Sequence, residues 1–270
     1  MEKWDWSWTA GLARVSATMI ESWHYPYLLL AGTVAGFVDS VAGGGGLITI
    51  PVLLGLGLPP QEALGTNKLQ ATFGSGSAAW HYSQAGTVRV ADCTRGFMLA
   101  LLGSVAGALV VQRVDPAFLR KAIPVLLICV AVYFMIKPDL GSKEGKPRMS
   151  RGWFDVVFGL SLGFYDGFFG PGTGTFWAMA FVLYMGTSLT AATGATKVMN
   201  FASNLGSLLL FLWSGKVLFA AGLVMGAGQF LGARLGSRMV ITHGARFIRP
   251  VFLTIVLALT LKLLHDGFMK

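Results

Sequence analysis

Long apolar segments separated by short polar stretches run through almost the whole of this 270-residue chain. Hydrophobic residues make up 54% of the sequence and charged residues only 12%, whereas about 25% of the residues of a soluble domain are usually charged. A chain with so little charge cannot cover a water-exposed surface, and apolar segments of roughly 20 residues are long enough to cross a bilayer. The sequence therefore predicts an all-α polytopic membrane protein with about eight hydrophobic segments.

The polar parts of the chain flank and divide these segments. Residues 1–24 place tryptophan and aliphatic residues at helical spacing but lack the uninterrupted apolar core of a signal peptide, so they predict an amphipathic helix at the membrane interface. The basic stretch 138–152 predicts a cytoplasmic linker, because lysine and arginine collect in cytoplasmic loops. Such loops account for the net charge of +9, and no nucleic-acid partner is expected. The linker leaves two membrane portions, 25–137 and 153–266.

The two membrane portions are similar to each other. The stretch GFVDSVAGGGGLITI from Gly36 aligns with GFYDGFFGPGTGTFW from Gly163, and GTNK at 65–68 aligns with GATK at 194–197. Several matches in the same order, at a nearly constant offset, indicate an internal duplication. Each half contains four hydrophobic segments. We expect the halves to be inverted relative to each other, which requires an odd number of membrane crossings in each half. The charge pattern is compatible with either three or five crossings.

The first segment of each half is unusually long and is interrupted by glycines. Tyr25–Gly57 and Trp153–Met185 each have 33 residues. At about 1.5 Å per residue, a continuous helix of that length exceeds the roughly 30 Å of hydrocarbon in a bilayer. Each segment is therefore expected to break, at Gly43–Gly46 and Gly170–Gly174, as a tilted helix or as a span followed by a re-entrant half-helix. Duplicated broken helices are typical of secondary transporters.

Ionisable residues inside the apolar segments come in corresponding pairs. Asp39 aligns with Asp166, and Lys68 aligns with Lys197. Charged side chains within a membrane usually face a cavity or pair with each other. Two interpretations follow: the residues form internal ion pairs that hold the halves together, or they line one central site and its coupling path. On the second-half helix, Lys197 shares one face with Thr193, Asn200 and Asn204 because they are three or four residues apart.

The glycine breaks suggest how a central site would bind its ligand. Backbone N–H groups at the start of the helix after each break carry partial positive charge, and together with two lysines they would bind a small anion. Asp39 and Asp166 fit better as protonatable partners or counterions, and the apolar neighbours of Asp166 favour it as the proton-coupling residue. The predicted binding residues are Gly43, Gly44, Gly45, Gly46, Asn67, Lys68, Gln70, Gly170, Pro171, Gly172, Thr173, Lys197, Asn200 and Asn204.

These paired motifs, GFVDSVAGGGG with GTNKLQ and GFYDGFFGPGTGTF with ATKVMN, resemble the TauE/SafE sulfite-exporter family of bacterial membrane proteins over about residues 25–265. The resemblance implies a small inner-membrane permease for sulfite, thiosulfate, sulfoacetate or a related organosulfur anion. Cys93 and Cys129 match no cysteine in the other half, so a cysteine relay for thiosulfate is not expected.

The functional prediction is an exporter of small oxidised-sulfur or organosulfonate anions that works by alternating access and is coupled to protons or to the membrane potential. The expected partners are the anion and the lipid bilayer, with a homodimer left open, and no cofactor or metal is expected. One alternative is an uncoupled, channel-like anion pathway. A membrane-embedded enzyme is a more remote alternative, because His24, His81, His243 and His265 have no metal-ligand spacing.

Overall fold

The computed structural model describes residues 21–136 and 145–244. Most of the predicted amphipathic segment, half of the linker and the last hydrophobic segment, 245–266, therefore lie outside the described residues. Within the described ranges the chain is helical and has no strand. The helices are α1 His24–Ala42, α2 Gly46–Gly55, α3 Pro60–Gln84, α4 Thr94–Val111, α5 Pro116–Ile136, α6 Arg151–Phe168, α7 Thr173–Met185, α8 Leu189–Trp213 and α9 Phe219–His243, with a 3₁₀ turn at Val90–Cys93.

Both long first segments break at their glycines, as predicted. The backbone leaves the helical region at Gly43, with φ of 81°, and at Gly170 and Gly172, with φ of 97° and 83°. Residues with a side chain rarely adopt this left-handed conformation. The breaks are shorter than predicted, however, because Gly46 and Gly174, together with Thr173, already belong to the following helices.

Each broken segment folds into a helical hairpin. Leu28 near the start of α1 packs in the same apolar cluster as Leu53 near the end of α2. In the second hairpin the rings of Phe154 on α6 and Phe181 on α7 lie 4.8 Å apart. The glycine break therefore forms the tip of each hairpin.

The two hairpins enter the bundle from opposite ends. The open end of the first lies with the starts of α3 and α9, where Ala63 and Leu218 join the same cluster. The open end of the second lies with the end of α3 and the start of α8, where Tyr82 and Leu189 pack near linker residue Met149. We call this second end the linker end. Helices α1, α3 and α9 run towards the linker end, and α4, α6 and α8 run away from it.

Glycines allow the first arm of each hairpin to pack closely along a helix from the other half of the chain. On α9, glycines 228, 232 and 236 face the α1 backbone between Leu29 and Ser40. On α6, glycines 159, 163 and 167 face α4 between Leu99 and Ser104 in the same way. Small residues four positions apart let two membrane helices approach to backbone contact. The halves are therefore interleaved, because α1 packs on α9 and α6 packs on α4.

Gly232→Ala is expected to lower stability through this interface. A Cβ at residue 232 would lie 1.9 Å from the carbonyl oxygen of Thr33, so α1 and α9 would have to separate. Overpacking of this kind typically costs about 1–3 kcal/mol. The matched control is Gly55→Ala, whose Cβ would enter open space. Thermal unfolding in detergent compares the two; equal melting temperatures would show that the close packing contributes little.

The outside of the bundle is apolar and part of its interior is polar. Leu30, Trp80 and Leu231 are 63%, 64% and 55% exposed, whereas Lys68 and Lys197 are 1% and 0% exposed. By length and composition, two described segments are apolar enough to cross a membrane: α1, and Val90–Val111, which combines the 3₁₀ turn with α4. Helices α3 and α8 carry buried polar residues, and those of α8 include Lys197, Asn200 and Asn204, which the sequence placed on one face.

Candidate functional site

Helices α3 and α8 carry the two buried lysines and cross the bundle in opposite directions. Each has 25 residues. Gly65 near the start of α3 lies against Phe211 near the end of α8, and Gly194 near the start of α8 lies against Tyr82 near the end of α3. Ser188 caps α8 by accepting a hydrogen bond from the N–H of Ala191. This antiparallel arrangement presents one lysine to each hairpin tip.

The lysines form ion pairs that connect the two halves. Lys68 Nζ lies 2.8 Å from Asp166 Oδ1, and Lys197 Nζ lies 3.1 Å from Asp39 Oδ2. Each ammonium also donates a hydrogen bond to the backbone carbonyl of the same aspartate. The ion-pair interpretation of the sequence is thus observed in this conformation, and the formal charges of the four residues cancel.

The two carboxylates are held to different degrees. Asp166 also accepts hydrogen bonds from the hydroxyls of Ser203 and, at 3.3 Å, Thr173, and its side chain is only 5% exposed. Asp39 accepts only one further hydrogen bond among the described contacts, from the Gly45 N–H at 3.3 Å, and its side chain is 20% exposed. Asp166 is therefore the more firmly fixed carboxylate.

The tips of the two hairpins touch at glycines. A Cβ on Gly43 would lie 2.5 Å from the carbonyl carbon of Gly174, so only glycine permits this approach. Thr175 donates a hydrogen bond to the carbonyl of Ala42, which joins the start of α7 to the end of α1. The positions of the tips are thus mutually dependent.

A cavity of about 20 Å³ lies between the tips. This is room for about one water molecule, and an oxidised-sulfur anion does not fit. In this conformation the space between the tips is therefore too small for the proposed ligand. Its lining residues are Asp39, Gly43, Gly46, Asn67, Ala71, Asp166, Gly170, Thr173, Gly174, Asn200 and Asn204.

Several of the predicted binding residues do not line the cavity. Lys68 and Lys197 are absent from its wall: Lys197 contacts it through Asp39, and Lys68 through Asp166 and, at 3.3 Å, the Oδ1 atom of Asn204. Gln70 lies outside the cavity in a buried amide network, where it donates to Asn67 at 2.9 Å and accepts from Gln229 at 3.3 Å. Gly44, Gly45, Pro171 and Gly172 shape the two tips without lining the cavity.

Sequence reasoning missed Ser203, Gln229, Ala71 and Gly174. Ser203 could have been found, because it follows Asn200 by three residues and so shares its helix face. Gln229 could also have been identified, because it is an amide side chain within an apolar, glycine-rich segment. Gly174 was predicted as part of the break but not as a lining residue, and Ala71 is apolar, so nothing in the local sequence marked it.

A buried charged site between two broken hairpins, inside a bundle with an apolar exterior, is typical of a membrane transporter. The chain's relatives agree with this class. The probable membrane transporter protein YfcA of Escherichia coli K12 is 46% identical over 240 residues, which is 89% of both chains. A probable membrane transporter protein of Haemophilus influenzae is 45% identical over 239 residues, covering 88% of this chain and 94% of the relative.

A family model identifies the chain more closely. The model for the sulfite exporter TauE/SafE matches residues 28–263. The chain belongs to this family, which confirms the resemblance seen in the paired motifs. No solved structure matches the chain significantly.

Proposed function

We propose that the chain carries a small oxidised-sulfur or organosulfonate anion across the bacterial inner membrane by alternating access. The observation that carries this proposal is the placement of two fully buried lysines, one from each half, at the tips of the two broken hairpins. The family name, sulfite exporter, supports an anion of this class.

We further propose that the halves, 25–137 and 153–266, are inverted repeats. Under the sequence alignment α1 to α4 correspond to α6 to α9, and each helix runs in the direction opposite to its counterpart. The reciprocal ion pairs support the same equivalence. The counterpart of α5 would be residues 245–266, outside the described part. Inverted repeats allow one half to rock against the other around a fixed site.

The membrane orientation follows from charge. Lys146, Arg148 and Arg151 lie at the linker end, where residue 145 pairs through its backbone with Gly186 after α7. An excess of basic residues marks the cytoplasmic side of an inner-membrane protein. We therefore place the linker end in the cytoplasm, with the first hairpin entering from the outside and the second from the inside.

In the open states, the anion would lie between the tips. The first turns of α2 and α7 reach the cavity through Gly46 and Gly174, and helix N-termini favour anionic oxygens. The amides of Asn67, Asn200 and Asn204 supply further hydrogen-bond donors. A continuous anion channel is a weaker alternative, because the cavity between the tips holds only about one water.

Ligand-induced thermal stabilisation tests the proposal. Purified protein in detergent is heated with sulfite, thiosulfate, sulfoacetate, taurine, sulfate or chloride. A ligand that binds only the folded protein and is present at a concentration of one hundred times its Kd raises the free energy of unfolding by about 2.7 kcal/mol. We expect a saturable rise in melting temperature with at least one oxidised-sulfur anion and none with chloride. If no member of the set raises the melting temperature above the chloride value, the proposed substrate class is wrong.

A further inference from the structure

We propose that the anion and one proton bind together: a proton taken up by Asp39 releases Lys197, whose ammonium then binds the anion. This inference rests on the proposed function and specifies how its site would be coupled. No bond of the anion breaks in this step. The Asp39 carboxylate becomes a carboxylic acid, and the Lys197 ammonium keeps its proton and changes its partner.

The charge arrangement explains why a proton is needed. Both ammonium groups are already occupied by an aspartate carboxylate and an aspartate carbonyl. The wall of the cavity contains the two aspartates but neither lysine. An anion placed there would meet two carboxylates whose charges the lysines balance, so no unpaired positive charge is available to attract it. In this conformation an anion therefore finds no free ammonium until one carboxylate is neutralised.

The contacts favour Asp39 over Asp166 as the proton acceptor. Asp166 receives Lys68 and two hydroxyl groups, all of which stabilise its charged form. Asp39 has one ammonium and one long backbone hydrogen bond, and its 20% exposure gives water and protons access to the carboxylate. The sequence favoured Asp166 because of its apolar neighbours, and these contacts favour the opposite assignment.

The surroundings of Asp39 contain few other charges. From α8 it faces Lys197, and across the cavity it faces Asp166 with its partner Lys68. From α3 it faces Tyr82, whose hydroxyl donates to the carbonyl of Ser40. Along this part of α1, α9 contributes backbone at Gly232 and Gly236, and α7 contributes the uncharged Thr175. Neutralising Asp39 therefore leaves Lys197 without a carboxylate partner among the described contacts.

This coupling fixes the direction in which a proton gradient acts. Because the proton and the anion share one binding event, they cross in the same direction, so an inward proton gradient favours uptake. Export would then be driven by the outward gradient of the anion itself. An inside-negative potential would also drive export of a dianion, because the dianion and its proton together carry one net negative charge.

Proton counting tests the inference directly. Thiosulfate or sulfoacetate is titrated into weakly buffered protein between pH 6 and 8, in a range where both stay dianionic, unlike sulfite. Proton uptake is read with a pH indicator dye, and binding is read by calorimetry. We expect about one proton bound per anion and an affinity that weakens about tenfold for each unit of rising pH in this range.

Two variants locate the proton. Asp39→Asn resembles the protonated carboxyl, so it should bind the anion with no proton uptake and with little dependence on pH. The control is Asp155→Asn, which removes another buried aspartate, paired with Arg151 at 2.9 Å outside the site, and should keep the proton uptake.

The outcomes separate the two proposals. Anion binding by the native protein without proton uptake would overturn this inference and leave the transport proposal standing. Proton uptake that persists in Asp39→Asn would overturn the assignment to Asp39. If neither dianion and no other anion of the thermal series binds, the proposed function itself is contradicted. The proton count of the native protein requires no variant, so a poorly folded Asp39→Asn does not prevent the test.

Discussion

Replacing Lys197 or Lys68 with methionine is expected to abolish anion binding and to lower stability. Each change leaves a carboxylate, Asp39 or Asp166, without its ammonium partner. Breaking a buried ion pair from one side typically costs about 3–5 kcal/mol. The matched control is Lys216→Met, because Lys216 is 46% exposed and lies 3.9 Å from Glu62. Thermal unfolding with and without the stabilising anion measures both effects.

Neutralising both partners distinguishes a structural role from a binding role. The double variant Asp39→Asn with Lys197→Met has no unpaired charge, so it should regain much of the stability that Lys197→Met loses. It should still bind no anion, because the ammonium is missing. If the single lysine variants lose stability but keep the native anion affinity, the lysines serve only to hold the two halves together.

Gly43→Ala is expected to destabilise the protein strongly. A Cβ at this position would lie 2.5 Å from the carbonyl carbon of Gly174, and Gly43 has a φ of 81°. A left-handed residue other than glycine costs about 1–3 kcal/mol, and overpacking adds a similar amount. The neighbouring Gly44→Ala is the control, because its Cβ would make ordinary contacts at 3.5 Å or more.

Yield of monodisperse protein and melting temperature report the result of this comparison. We expect Gly43→Ala to melt well below the native protein and Gly44→Ala to melt close to it. Similar values for the two variants would show that the tips can separate without cost, which contradicts the contact between them.

The breaks and the candidate charged residues could be predicted from the sequence because their signals are local. Glycine runs in apolar segments, and lysines and aspartates at repeated positions, stand out without any knowledge of neighbours. The partners could not be predicted in the same way. The alignment equates Lys68 with Lys197 but does not say which aspartate each would reach, and the pairs join residues 98 and 158 positions apart.

The small size of the cavity also could not be predicted from the sequence. The lysines were expected to face the ligand, whereas in this conformation they are bound to Asp39 and Asp166 and the cavity holds about one water. Cavity size depends on how two backbones approach at Gly43 and Gly174, which is a tertiary property. The four-residue glycine spacing on α6 and α9 was present in the sequence, but its partner helices become apparent only in the assembled bundle.

The interleaving of α1 with α9 and of α6 with α4 bears on how the chain is made. Of the described helices α1 is synthesised first, and α9, whose glycines pack against α1, is synthesised last. Asp39 and Lys68 likewise have no ion-pair partner until Lys197 and Asp166 have been synthesised. The first half therefore enters the lipid with its charged groups unpaired, and its native packing is completed only when the second half has been inserted beside it.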